Sequence, residues 1–125
     1  MGIGGFALAA LVGAGLYMLT TRERGLTGRW NLPDGSYWII VEEADGLRIE
    51  EVHYASREVW KRGRGRVEGD VMTFTLDLVY GGIYRYRGEV KLTADGRTLS
   101  GTITEVTSGA ATPMSASRAP KSSVP

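Results

Sequence analysis

Six glycine-containing dipeptides divide the chain after residue 28 into short segments of similar length. Such dipeptides form the tight turns of β-hairpins, because glycine accepts the backbone angles that these turns require. They are Asp34-Gly35, Asp45-Gly46, Gly69-Asp70, Gly81-Gly82, Asp95-Gly96 and Ser108-Gly109. One further reversal is expected near Ala55-Ser56-Arg57. The spacing therefore predicts eight strands, at residues 28 to 32, 36 to 43, 46 to 54, 58 to 67, 71 to 80, 83 to 92, 97 to 107 and 112 to 118.

The predicted strands alternate apolar and polar residues, as half-buried strands do. In the fifth strand the apolar face carries Met72, Phe74, Leu76, Leu78 and Tyr80. Glu50-Glu51 interrupts the alternation in the third strand, which predicts a β-bulge. A meander with one apolar face loses its unpaired edges by closing. The sequence thus predicts an all-β fold, an eight-stranded antiparallel up-and-down barrel.

We expect large side chains to fill most of the barrel interior. The expected set is Trp30, Ile39, Leu47, Phe74, Leu76, Tyr84, Tyr86, Val90, Leu99 and Ile103. At least one of Trp38 and Trp60 is also expected in the core, because a small barrel needs large apolar side chains.

The first 21 residues carry no charged side chain. A helix of that length spans about 30 Å, the thickness of the hydrocarbon core of a bilayer. A cleaved signal peptide is disfavoured because a basic N-terminal region is missing and Ala7-Leu8-Ala9 comes too early to follow a full apolar region. A buried soluble helix is the remaining alternative. We expect a single transmembrane helix at 1–21, a linker at 22–27, the barrel at 28–118 and a tail at 119–125.

Small residues recur at every fourth position of the predicted helix, at Gly5, Ala9 and Gly13. They would line one face and let a second helix approach closely, although glycine and alanine are also common in membrane helices that lack such a seam. Arginines follow the helix and none precedes it, so the positive-inside rule places the barrel in the cytoplasm. The expected location is a bacterial inner membrane.

Short motifs at both ends of the predicted barrel carry a resemblance. Gly28-Arg29-Trp30 opens the first strand, a segment from Leu92 to Gly101 follows the tyrosine-rich strands, and Met114 to Arg118 forms the last strand. This order resembles the lipocalin-like and avidin-like small barrels of bacteria. The resemblance implies that Trp30 packs across the base of the barrel under Arg118. It also implies that an apolar ligand is one possible cargo.

Composition excludes several kinds of chemistry. The chain has no cysteine and a single histidine, His53, so thiolate catalysis and common zinc sites are excluded. His53 and Glu51 are expected to lie exposed on the polar face of a strand. The Asp residues beside glycine are interpreted as turn formers. We expect no enzyme activity, cofactor or metal, because a nucleophile, a base and an orienting group cannot be assembled from these residues.

Four cations fall within six residues, at Lys61, Arg62, Arg64 and Arg66. Such a run favours anionic lipid headgroups or an acidic partner as its target, and it also fits a strand that charge protects from aggregation. Nucleic acid is disfavoured because only Trp60 adjoins the run to stack on a base.

Two functions fit these features. The first is a non-catalytic accessory or structural subunit of a larger bacterial membrane complex of respiratory or photosynthetic type, with other membrane subunits as partners. The alternative is a membrane-tethered, lipocalin-like carrier of a lipid or another apolar ligand. The volume of the barrel cavity distinguishes them.

Overall fold

The computed structural model describes residues 25–80 and 84–120, which form a closed barrel of eight antiparallel strands. Each strand pairs with the next in the chain, and the last pairs with the first. The strands are β1 (Gly28–Asn31), β2 (Tyr37–Glu43), β3 (Gly46–Val52), β4 (Val59–Glu68), β5 (Val71–Leu78), β6 (Arg85–Leu92), β7 (Thr98–Glu105) and β8 (Ala111–Arg118). The predicted barrel is confirmed, and every strand boundary lies within two residues of its predicted position. The predicted transmembrane helix lies outside the described residues, and none of the residues that are described forms a helix suited to crossing a membrane.

Five of the six predicted glycine turns lie in the described residues and form as the dipeptides predict, whereas Gly81-Gly82 lies outside the described residues. Gly69, Gly96 and Gly109 adopt φ angles of 67°, 75° and 75°, in the left-handed region that side chains disfavour. Asp95 supports its own turn, since its Oδ1 accepts a hydrogen bond of 3.1 Å from the Arg97 backbone N–H. The turns therefore set the strand ends.

The up-and-down order gives the barrel two distinct ends. One end, here called the rim, carries the connections at 32–36, 53–58, 79–84 and 106–110. The other end, the base, carries the connections at 44–45, 69–70 and 93–97, and the chain both enters and leaves the barrel there. Any segment before residue 25 consequently joins the barrel at its base.

The core fills the barrel from its base to its middle. Trp38 packs edge-on against Phe74, with ring centroids 5.0 Å apart. A Cβ atom added at Gly88 would overlap the Phe74 ring. The fully buried side chains with less than 2% exposure include Trp30, Trp38, Ile40, Ile49, Met72, Leu76, Val90 and Leu99. This part of the interior is filled so tightly that it lacks room for a single added methyl group next to Phe74.

Three predicted inward positions are wrong. Ile39 lies on the outer face, because its neighbours Trp38 and Ile40 take the interior with 1% and 0% exposure. Tyr84 and Tyr80 are exposed at the rim, by 44% and 63%, because both lie in the β5–β6 connection beyond the paired strands. The other predicted fillers are buried or pack against the core.

Candidate functional site

The basic run on β4 is divided by the alternation of the strand. Lys61 turns into the barrel, where its side chain is only 13% exposed. Arg62, Arg64 and Arg66 lie exposed on the outer face. Lys61 is therefore separated from the three arginines, since neighbouring residues of a strand point to opposite faces.

Carboxylates of the neighbouring β2–β3 hairpin neutralise part of the outer arginine row. Glu50 pairs with Arg62 at 3.0 Å, and Asp45 pairs with Arg64 at 2.9 Å. Glu43 contacts Arg64 as well, and hydrogen bonds from Arg48 and Arg64 hold the pKa of Glu43 below its usual range. Within the part of the chain that the structure describes, no ion pair reaches Arg66. The row thus presents less positive charge than its sequence suggests.

A buried carboxylate lies inside the barrel on the side of the rim. Glu51 is 5% exposed, and its Oε1 accepts a hydrogen bond of 2.9 Å from Trp38 Nε1. Its Oε2 accepts one of 2.9 Å from Trp60 Nε1 and lies 3.8 Å from Lys61 Nζ. The Lys61 ammonium sits over the rings of Trp60 and Tyr86, 4.5 and 4.3 Å from their centroids. We call these five residues the interior cluster.

The interior cluster satisfies its own charges. Both Glu51 oxygens have donors, and the lysine cation contacts a carboxylate and two aromatic faces, which attract cations. Burial, with Glu105 and Glu51 nearby, raises the pKa of Tyr86, so its phenol stays neutral and cannot serve as a base near neutral pH. The arrangement links strands β2, β3, β4 and β6 inside the barrel.

Glu51 was expected to be exposed, and the structure corrects this. The register does shift beside Glu51, but on the neighbouring strand: Glu51 pairs with Lys61 and Val52 with Val59, so the extra residue is Trp60 of β4. β3 itself pairs with β2 without interruption from Gly46 to Val52, so the prediction of a bulge in the third strand is wrong. The signal was present in the sequence, because Glu51 continues the inward positions of Leu47 and Ile49 at a spacing of two.

His53 organises a loop and does not lie on a strand. Its Nδ1 accepts a hydrogen bond of 3.0 Å from the Ala55 backbone N–H. Its ring stacks on Tyr54 at 4.5 Å and meets Trp60 edge-on at 4.6 Å. Across residues 25–80 and 84–120, no group of three His, Cys, Asp or Glu side chains is arranged to hold a metal ion.

Trp30 and Arg118 come together at the base. They are register partners that join β1 to β8, and the Arg118 guanidinium lies 4.3 Å from the centroid of the fully buried Trp30 ring. Arg118 also donates hydrogen bonds to the carbonyls of Gly96 and Gly25, at 3.0 and 2.6 Å. Leu26, which the sequence placed in the linker, belongs to the core with 3% exposure.

The rim carries a surface that the sequence did not reveal. Five of the six exposed large hydrophobic side chains in the described residues lie in rim connections, and the sixth, Val67, lies toward the base. We call this set the tyrosine rim, which consists of Tyr54, Val79, Tyr80, Tyr84 and Val106.

Backbone hydrogen bonds join the parts of the tyrosine rim. The Val79 N–H donates to the Trp60 carbonyl at 2.9 Å, which connects the β5–β6 segment to the strand that follows Tyr54. The Val106 N–H donates to the carbonyl of Arg85, the residue after Tyr84, at 2.8 Å. Three neighbouring connections at one end of the barrel therefore carry these side chains.

The sequence was also compared with known proteins. It matches no known protein family and no curated protein.

Proposed function

We propose that this protein is a non-catalytic accessory subunit of a larger bacterial membrane complex, of respiratory or photosynthetic type. In this proposal the N-terminal segment docks among other membrane subunits and the barrel covers a cytoplasmic surface of the complex. The observation that carries the proposal is the filled interior, because a barrel without room for a ligand acts through its outer surface.

The interior is occupied at two levels. In the middle of the barrel, the packing of Phe74 against Gly88 and Trp38 leaves no space for an added group beside the Phe74 ring. Toward the rim, the interior cluster uses Glu51 and Lys61 to satisfy each other and the two indole N–H groups. Both observations support a barrel with a filled interior that functions by contacting other proteins through its outer surface.

A carrier would need considerably more volume. Pockets for small molecules usually measure about 300 to 1,000 Å³. In the described residues, the cleft at the base beside Leu26, Met72 and Leu99 has about 90 Å³. The larger grooves, of about 380 to 570 Å³, lie on the outer face along exposed side chains such as Thr73, Glu89 and Lys91. Solvent extraction of the purified protein followed by mass spectrometry tests the carrier alternative, which a stoichiometric lipid or other apolar compound would favour.

The position of the tether also supports the proposal. The described chain starts at the base with Gly25, so an uncharged helix at 1–21 would connect there. Its small residues Gly5, Ala9 and Gly13 lie outside the described residues and keep their role as the proposed helix contact.

Gly13→Leu tests the helix contact. The larger side chain should separate the helices and release the protein from its assembly at any salt concentration, because close van der Waals approach drives such packing. Purification in mild detergent, with identification of the chains that accompany the protein, gives the measurement. Ala7→Leu, on the opposite face of the predicted helix, is the matched control. Retention of Gly13→Leu in the assembly, or migration of the wild-type chain alone, would contradict the proposal.

We propose a second, weaker contact between the outer arginine row and anionic lipid headgroups or acidic groups of the partner. Replacement of Arg62, Arg64 and Arg66 by Ser should weaken association at low salt. The same replacement should have little effect on association at 1 M salt, where the Debye length falls to about 3 Å. Binding to protein-free anionic vesicles separates the two sources, since only the lipid contact survives without a partner. Equal association of the variant and the wild type at low salt would remove this contact.

A further inference from the structure

We propose that the tyrosine rim is the docking surface for a partner protein that presents apolar side chains together with a lysine or arginine. The inference rests on the proposed function and names the chemistry of the partner. It has three supports, which are the composition of the rim, its charge and its position relative to the tether.

The exposed side chains of the rim have the composition of a protein interface. Tyr54, Tyr80 and Tyr84 are 55%, 63% and 44% exposed, and Val79 and Val106 are 38% and 40% exposed. Tyrosine is enriched at protein interfaces because its ring supplies apolar area and its hydroxyl still forms hydrogen bonds. An apolar set confined to one end of a barrel marks an interaction site more strongly than scattered residues do.

The rim end is acidic, although the whole chain has a net charge of +1. Its connections and the strand residues that flank them, at 32–37, 51–61, 77–80, 84–86 and 104–111, contain five carboxylates and three cations, with His53 taken as neutral, for a net charge of −2. The carboxylates are Asp34, Glu51, Glu58, Asp77 and Glu105, and the cations are Arg57, Lys61 and Arg85. Glu51 and Lys61 belong to the interior cluster and cancel each other, so the remaining groups keep the net charge of −2. Such a surface repels anionic lipids and attracts a basic partner.

The interior of the same barrel shows how aromatic rings and a carboxylate together bind a cation. Lys61 lies over the rings of Trp60 and Tyr86 and beside the Glu51 carboxylate. At the surface, the Tyr80 hydroxyl donates a hydrogen bond of 3.2 Å to Glu58, which places an exposed aromatic ring next to an exposed carboxylate. An aromatic face beside a carboxylate attracts an ammonium or guanidinium group.

A membrane helix ahead of residue 25 would hold the barrel by its base and turn the rim away from the bilayer. The chain before Gly25 joins the base, and the rim lies at the other end of all eight strands. A barrel held by its base presents the rim to the aqueous phase. The occupant is therefore the extramembrane surface of a partner protein.

Calorimetric titration of the full chain in zwitterionic nanodiscs tests the partner chemistry. The probe is a synthetic amphipathic peptide of leucine and lysine, and its matched counterpart replaces lysine by glutamate. We expect the lysine peptide to bind about tenfold more tightly or better, since loss of a hot-spot contact commonly costs at least that factor. The double change Tyr80→Ser and Tyr84→Ser should remove most of this binding, and Glu58→Gln should weaken it severalfold.

Val67→Ser is the matched control, because Val67 is 42% exposed toward the base and its replacement should leave binding unchanged. The three rim side chains are exposed, so the variants should keep the wild-type melting curve. Equal affinity for the two peptides, or an equal loss in the Val67 variant, overturns the inference. Binding of the rim to anionic vesicles, or self-association that the tyrosine changes abolish, also overturns it.

Failure of the inference can be distinguished from failure of the proposed function. If the wild-type chain and the double tyrosine variant both remain in a detergent-stable complex, the subunit proposal stands and the rim is not its contact. If the wild-type chain migrates alone, the subunit proposal fails, and the peptide titration still decides the chemistry of the rim.

Discussion

Glu51 is a charged side chain inside a small barrel, and its environment accounts for its presence there. A buried carboxylate is costly unless hydrogen bonds and an opposite charge compensate it. Trp38 and Trp60 donate to its two oxygens, and Lys61 supplies the charge. Through these contacts Glu51 links β2, β3 and β4 in the half of the barrel near the rim.

Glu51→Gln should destabilise the barrel strongly. The amide offers one acceptor oxygen, so an indole N–H is left unpaired and Lys61 loses its counter-charge inside the protein. Breaking a buried pair in this way typically costs about 3 to 5 kcal/mol of unfolding free energy. Urea unfolding followed by tryptophan fluorescence gives the measurement. Glu51→Leu with Lys61→Met removes both charges and should be more stable than Glu51→Leu alone; the reverse order would show that the pair is not coupled.

Asp95 makes the stability of the barrel depend on acid pH. A hydrogen bond from the Thr93 hydroxyl and one from the Arg97 backbone N–H hold the pKa of Asp95 below its usual range. The folded state favours the charged form, so the stabilisation is present above the unfolded pKa of about 3.9 and is lost as pH falls through the lowered folded pKa. Asp95→Asn should therefore lower the melting temperature at pH 7 and matter progressively less below about pH 4. A difference that stays constant across this range in calorimetry would contradict the mechanism.

At the scale of the strands, the sequence predicts boundaries better than it predicts faces. The Asp-Gly turns determine where strands end, because few other residues accept their φ angles. The faces follow from alternation, which is missing where Trp38, Ile39, Ile40 and Val41 follow one another. Either phase fits such a run, and the sequence alone predicts Ile39 inside the barrel. Only the packing of Trp38 on Phe74 decides between the two phases.

Gly88→Ala should destabilise the contact between β5 and β6. The new methyl group would overlap the Phe74 ring, and overpacking of a core commonly costs about 1 to 3 kcal/mol. Thermal unfolding monitored by circular dichroism gives the measurement. Gly88→Ala with Phe74→Leu should recover part of the loss because leucine vacates the space of the ring. Equal stability of Gly88→Ala and the wild type would show that the interior relaxes more easily than its packing indicates.

The closing pair of strands is unequal in length. β1 has four residues and pairs with β8 only through Trp30↔Arg118 and Asn31↔Ser117. The Ala119 N–H donates to the Arg29 carbonyl of β1. Because backbone N–H groups alternate in direction along a strand, every second residue of β8 directs its backbone nitrogen toward β1, and Pro113 occupies one of these positions. Proline cannot donate a hydrogen bond, and it is a common protection for an open strand edge.

Pro113→Thr should allow this strand edge to pair with a strand of another molecule. It restores a backbone N–H between Ser115 and Ala111, so the edge can template a strand from another molecule. Analytical ultracentrifugation should show stronger self-association than in the wild type. Adding Ser115→Pro removes a neighbouring donor and should reverse the effect. An unchanged sedimentation profile for Pro113→Thr would show that something other than proline protects the edge.

For the molecule as a whole, Trp30 is the residue on which closure depends. It is fully buried, it donates to the Leu26 carbonyl at 2.9 Å, and Arg118 covers it from the last strand. Trp30→Ala should unfold or nearly unfold the barrel, since such a change costs about 3 to 5 kcal/mol of a total stability of about 5 to 15 kcal/mol. Tyr80→Ala, at an exposed position, is the control for aromatic loss. A melting temperature unchanged by Trp30→Ala would show that the seam is held elsewhere.

The topology of the whole barrel could be predicted because regular turns and one apolar face leave few alternatives. The tyrosine rim could not be predicted, since Tyr54, Tyr84 and Val106 come from three distant connections and meet only in the folded chain. The charge of the rim was equally hidden, because the whole chain is nearly neutral. Local patterns specify strands, whereas a surface formed by several loops depends on the closure of the barrel.

The pairing of Trp30 with Arg118 also imposes an order on biosynthesis. A ribosome adds roughly 5 to 20 residues per second, so the first strand waits roughly 4 to 18 seconds for the last strand to be made. Until then the nascent sheet has two free edges and an unsealed apolar face, and it attracts chaperones and other unfinished chains. Premature termination within β8 would leave every copy in that state, so truncated products of this protein should be substrates for proteolysis and not shorter barrels.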